Sequence, residues 1–192
     1  LWIAEEGNAV NPAGLRALGG IDASFSGRTA GRTLAKAGVG VLVKPTGIAV
    51  DGAGNVFATD GVLHAVWRFG KDGSQAQLAA KGSALGQCLF PADVEVWPEH
   101  DGPAQLILVA DHGNQRTQVL DVATGAWRVL DATPSGVLPL AVAFAPGLLE
   151  PGEESPPPLA GFIVADGSRQ QFQRYAVNGT HRDTFSDWGY FP

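Results

Sequence analysis

Apolar residues come in short runs that either alternate with polar ones or are continuous, and each run is bounded by Gly, Pro or Asx-Gly. Three stretches superimpose. The first is Lys44-Pro45-Thr46-Gly47-Ile48-Ala49-Val50-Asp51, then Gly54 to Asp60, then Leu63 to Phe69. The second is Phe90-Pro91-Ala92-Asp93-Val94-Glu95-Val96, then Leu106 to Asp111, then Gly113 to Leu120. The third is Leu138 to Phe144, Gly161 to Asp166 and Gln170 to Tyr175. Runs of this length, rich in Val, Ile and Phe and without a 3.6-residue rhythm, predict strands rather than helices. After each third strand comes a turn, at Lys71-Asp72-Gly73, Ala123-Thr124-Gly125 and Val177-Asn178-Gly179. A fourth short strand is predicted near 76–80, 126–130 and 181–185. Asp-Gly and Asn-Gly suit tight hairpins because glycine reaches positive φ at little cost.

The opening prolines fall at 45, 91 and 139, and the aspartates that close the second strands fall at 60, 111 and 166. Four antiparallel strands repeated at about fifty residues is the pattern of a β-propeller blade. The predicted class is therefore all-β, with about three and a half four-stranded blades and an incomplete ring. Leu1 to Asn8 fits a second strand and its turn, and Tyr190-Phe191-Pro192 fits the opening of a further blade. The expected division is a partial blade with an irregular Gly/Ala-rich connection over 1–42 and blades over 43–88, 89–136 and 137–189. The start of another blade follows at 190–192. The ring is expected to be completed by further sequence or by another chain.

Composition narrows the classes. The chain has 192 residues, 45% hydrophobic and 17% charged, with Gly 26 and Pro 13, which suits a packed, turn-rich fold rather than disorder. The net charge of −6 argues against a broad grip on nucleic acid. No run reaches the ~18 apolar residues of a membrane span. The single cysteine, Cys88, rules out an internal disulfide framework.

The phrases Pro-Thr-Gly-Ile-Ala-Val-Asp (45–51), Gly-Asn-Val-Phe-Ala-Thr-Asp (54–60) and Ala-Asp-His-Gly-Asn-Gln-Arg-Thr-Gln-Val (110–119) resemble the NHL repeat. That resemblance implies a propeller, and NHL propellers serve unrelated functions. Within the family, the blades are similar to those of peptidyl-α-hydroxyglycine amidating lyase around 60–66 and 87–94. The resemblance implies zinc histidines directly after the blade-opening prolines. This chain has Thr46, Ala92 and Leu140 there, none of them a good zinc ligand.

Four side chains are contact candidates for a ligand or partner: His64 and His112 in the loops after the repeated aspartates, Arg116 at the start of a third strand, and Glu5 in the equivalent place in the first partial blade. No catalytic set and no metal ligands are assigned. Asp60, Asp111 and Asp166 recur equally in every blade, which suits carboxylates that accept turn N–H groups better than a cation site. Cys88 lacks a neighbouring cation in sequence and reads as a buried small hydrophobe. Asn178-Gly179-Thr180 is an N-x-T sequon on a predicted hairpin tip, making Asn178 an N-glycosylation candidate and leaning toward a secreted or lumenal location. The acidic, proline-rich insert Glu150 to Pro158 should be an extended surface loop. The functional expectation is a non-catalytic scaffold module that binds a protein or peptide and needs no cofactor. The alternative is a metal-dependent propeller enzyme, amidating-lyase-like or lactone-hydrolase-like, with Ca²⁺ or Zn²⁺ in the central channel and part of its site in blades outside this sequence.

Overall fold

The computed structural model describes residues 41–98, 102–130, 136–146 and 159–185, and the backbone of three further strands at 2–5, 14–18 and 33–37. The insert at 150–158, the segment 190–192 and the Glu5 side chain lie outside the described residues. The described strands form four sheets in which neighbours are consecutive in sequence, antiparallel throughout except for one short parallel pair, as propeller blades require.

The first sheet contains β1 (Trp2–Glu5), β2 (Gly14–Leu18) and β3 (Thr33–Ala37) in that order. The sequence reading gives 1–42 a partial blade with an irregular Gly/Ala-rich connection, yet β3 lies in that stretch and pairs with β2 from Leu15↔Ala37 to Leu18↔Thr33. Its Thr-Leu-Ala-Lys-Ala sequence has little β propensity, so the pairing partner determines the strand.

The next blade holds β4 (Pro45–Val50), β5 (Val56–Asp60), β6 (Ala65–Phe69) and β7 (Gln75–Lys81). A two-residue strand β8 (Gln87–Cys88) runs parallel to the end of β7. The following blade has β9 (Asp93–Trp97), β10 (Leu106–Asp111), β11 (Arg116–Asp121) and β12 (Ala126–Val129). The last has β13 (Pro139–Pro146), β14 (Leu159–Asp166), β15 (Gln171–Ala176) and β16 (His181–Phe185).

The blades pack face to face, which explains the continuous apolar second strands. Successive side chains of a strand point to opposite faces. In β10, Ile107 and Val109 join Phe57, Val66, Val94 and Val96 in a core shared with the preceding blade. Leu108 and Ala110 pack instead with Val142, Phe144, Phe162 and Val164 of the following blade. Outer strands have less to bury, and β16 is exposed along most of its length. The first strands sit innermost: β9 lies beside β4 on one side and β13 on the other. Asp93 joins all three, because its Oδ2 accepts from Val142 N at 3.0 Å and a β-carbon placed on Gly47 would come within 2.7 Å of Asp93 Cα. No helix among the described residues is long and apolar enough to cross a membrane.

Candidate interaction face

Pro45 pairs with Asp60, Asp93 with Ala110 and Pro139 with Asp166, so each first strand begins at the end of the blade where the second strand finishes. The turns between second and third strands and the passages from one blade to the next therefore share one face.

The repeated aspartates hold this face together. Asp60 Oδ2 accepts from Val43 N (2.6 Å) and Lys44 N (3.0 Å), and its Oδ1 accepts from Val62 N and Leu63 N, both at 2.9 Å. Asp111 accepts from Leu89 N, Asn114, Arg116 Nε at 2.8 Å and Gln118 Nε2 at 3.0 Å. Asp166 accepts from Leu138 N, Ser168 and Arg169. Burial alone would raise the Asp166 carboxyl, but hydrogen bonds from Ser168, Leu138 N and Arg169 outweigh it and hold it below the usual range. In each blade one carboxylate ties the incoming connection to the turn, as their equal recurrence suggests.

His64 is similarly committed. It is buried, and its Nδ1 accepts from Phe90 N at 2.9 Å, which places the ring proton of the neutral form on Nε2. Its φ is +52°, and Gln115 and Gln170, the residues four past their own aspartates, both take +55°. The left-handed conformation thus belongs to the turn in each of these three blades, despite its steric cost for residues other than glycine. Arg116 pairs with Asp111 and donates to Ala84 O and Gln87 O, bracing the passage into its blade. Of the histidines on this face, His112 is the more open: half-buried, with Nδ1 3.2 Å from Pro139 O. Among the contact candidates, the structure brings His64 and Arg116 to the joint between two blades and His112 to the wall of a cavity.

That cavity has a volume of about 330 Å³, and its walls include Thr46, Val62, Phe90, Ala92, His112 and Leu140. The three positions that follow the blade-opening prolines therefore meet at one apolar recess. Thr46 Oγ1 is engaged with Pro91 O at 2.7 Å and Thr59 Oγ1 at 3.0 Å, leaving its methyl as the apolar part. Three of the large apolar side chains exposed among the described residues, Val62, Phe90 and Leu140, line this recess. Single exposed apolar residues are ordinary, but a cluster on one face indicates an interaction site. Sequence reading does not single out Phe90 or Val62, because only the fold gathers them. Asp93 also escapes it, although it stands where the repeat has glycine in Gly47 and so breaks the pattern. Burial pushes the Asp93 carboxyl up, and hydrogen bonds from Val142 N and Val94 N offset this only in part.

Among the described residues, no three His, Cys, Asp or Glu side chains come together as a metal site. The Cys88 thiol is buried, donates to His64 O at 3.2 Å and is pushed up to about 12 by desolvation and the nearby Asp111 charge. It is protonated at neutral pH and is no nucleophile. Asn178 and Thr180 are exposed in the β15–β16 turn at the opposite end of the blades, with Asn178 Oδ1 accepting from Thr180 N at 3.0 Å.

No family model and no curated protein sequence matches the chain. Solved structures do. Hydrazine synthase of Kuenenia stuttgartiensis superimposes with a TM-score of 0.56 and 14% identity, over 90% of this chain and 42% of that one. Virginiamycin B lyase from Staphylococcus aureus gives 0.55 and 12%, over 75% and 41%. A chain of the nidogen/laminin complex gives 0.58 and 18%, over 92% and 56%. This chain thus spans 41–56% of the length of these structures. At such identities the likeness carries the fold alone: the chain is an incomplete β-propeller.

Proposed function

We propose that the chain is a non-catalytic, NHL-type propeller module that holds a protein or peptide partner on the face formed by its second-to-third-strand turns and blade junctions. The observation that carries this reading is the recess at the inner ends of three successive blades, lined by the exposed apolar side chains Val62, Phe90 and Leu140. Burying such a cluster against a partner removes apolar area from water, the dominant gain in protein association. The turns beneath are braced by buried carboxylates, so the surface is preorganised and loses little order on binding. A glycan on Asn178 would project from the opposite end and leave the face open. The metal-dependent enzyme is less well supported, because Thr46, Ala92 and Leu140 offer no ligand at the recess.

Selection of a displayed random-peptide library on the purified chain tests the reading. Selected peptides should lose binding to a Val62→Glu/Leu140→Glu double variant, both positions being exposed, while its circular-dichroism thermal midpoint matches the parent's. Peptides that bind the variant as well as the parent would place the partner surface elsewhere. Near-stoichiometric Zn²⁺ or Ca²⁺ in the purified chain would favour the enzyme instead.

A further inference from the structure

A second cavity, of about 380 Å³, lies between the blade of β4–β7 and the blade of β9–β12. It opens at the end of the blades opposite the face described above, where Val50 pairs with Val56 and Val96 with Ile107 as the first strands finish. The next joint shows why it exists. Arg68 follows Asp60 by eight residues, as Val119 follows Asp111, and these two residues pair with Ala76 and Arg128 on the fourth strands. Asp51 follows Val50 as Trp97 follows Val96. Between the second and third of these blades, Trp97 packs on Phe144, while the Arg128 guanidinium lies over Phe162 and donates to Val177 O at 2.8 Å. Asp51 and Ala76 are shorter, so the volume that an indole and a guanidinium fill in one joint stays open in the other.

We propose that this cleft binds a small carboxylate carrying an aromatic or branched apolar group. Phe57, Leu78, Ile107 and Leu120 supply apolar walls, and the volume falls within the usual range of about 300–1,000 Å³ for ligand sites. Arg68 supplies the polar anchor. It is half-buried on the cleft wall, and its Nη2 donates to the neutral Asn55 Oδ1 at 2.9 Å. Arg116, Arg169 and Arg174 each pair with a carboxylate, whereas Arg68 forms no ion pair among the described residues. The acids nearest to it are committed elsewhere. Asp51 accepts from Asn55 N, Asn55 Nδ2 and Ala104 N, and the exposed Asp72, which feels the Arg68 charge, accepts from Ser74 N and Oγ. The rest of the guanidinium fork is therefore open to a ligand, and a carboxylate matches it with two parallel bonds. Apolar walls strengthen that attraction by excluding water. An uncharged amide gains only ordinary hydrogen bonds there, and an amine is repelled.

Indole-3-acetate, indole-3-acetamide and tryptamine share one ring system and differ in charge. Each is titrated into the ¹⁵N-labelled chain and followed by amide chemical shifts, in the parent, Arg68→Gln and Ala76→Trp, with thermal midpoints compared by circular dichroism. The acetate should bind about tenfold tighter than either of the others, with shifts centred on the residues of the cleft. Arg68→Gln should abolish that preference. Ala76→Trp, which fills the position that Arg128 occupies in the next joint, should weaken all three probes. If its midpoint falls, the probe series and Arg68→Gln decide by themselves. Equal affinity for the three probes, an acetate preference that survives Arg68→Gln, shifts centred away from the cleft, or no binding at millimolar concentration would overturn the proposal.

Discussion

At the scale of single residues, the polar groups of this face are largely engaged within the fold. Asp111 is the clearest engaged case: fully buried, it answers donors from Leu89, Asn114, Arg116 and Gln118. Replacing it by Ala removes the carboxylate shared by the half-buried Arg116 guanidinium and the buried Gln118 amide, leaving them only backbone carbonyl acceptors, and frees Leu89 N and an Asn114 N–H. The expected cost is about 3 kcal/mol, in the range for breaking a buried pair from one side. Urea denaturation should show a large fall in midpoint for Asp111→Ala. Asp183→Ala, which removes the exposed partner of Arg174, should leave the midpoint near that of the parent. Equal effects would mean that Asp111 is not the brace its contacts describe. His64 carries the same lesson: an imidazole at a loop position suggests chemistry, but its left-handed backbone and its bond to Phe90 N give it a place in the turn.

At the scale of elements, the inner strands are set by close approach. Gly47 in β4 faces Asp93 in β9 so tightly that a β-carbon would lie 2.7 Å from both Asp93 Cα and Oδ1. Ordinary carbon contacts need about 3.5 Å or more. Gly47→Ala should therefore push the two strands apart and destabilise the chain by roughly 1–3 kcal/mol, as overpacking does elsewhere. An unchanged thermal midpoint would show that the strands yield freely. Much of the element order is legible in sequence: the fourth strands expected near 76–80, 126–130 and 181–185 appear as β7, β12 and β16. What is not legible is pairing that relies on a neighbour. β3 has a weak local signal, and the two-residue β8 exists because the chain passes beside the end of β7 on its way to the next blade.

At the scale of the whole molecule, two kinds of carboxyl, one buried and one half-buried between blades, give opposite pH dependences. For Asp51, burial would raise the carboxyl, but hydrogen bonds from Asn55 and Ala104 N prevail and depress it, as donors do for Asp166. A depressed carboxyl contributes stability above the ordinary aspartate value of about 3.9, and that stability is lost as pH falls through the folded-state value. Asp93 is raised, so its contribution is complete below about 3.9 and declines as pH rises through its folded-state value. Asp93→Asn removes this decline while keeping an oxygen acceptor for Val142 N. Urea midpoints measured from pH 4 to 7 should therefore rise more steeply with pH, or fall less, in the variant than in the parent. Parallel curves would show that Asp93 ionises without cost between the blades.

The sequence by itself determined the all-β class, the blade repeat and the positions of most strands, because turn chemistry, side-chain alternation and equal spacing are local properties. It also marked Asp60, Asp111 and Asp166 as turn acceptors, since a group that recurs in every blade serves what every blade needs. Only the tertiary structure decided which polar groups are engaged and where the exposed apolar residues gather. Phe90, Val62 and Leu140 are far apart in the chain, and Asp93 meets Gly47 and Val142 only where three blades converge. Burial and charge at a surface depend on what lies opposite, and a linear sequence does not specify its neighbours across a fold.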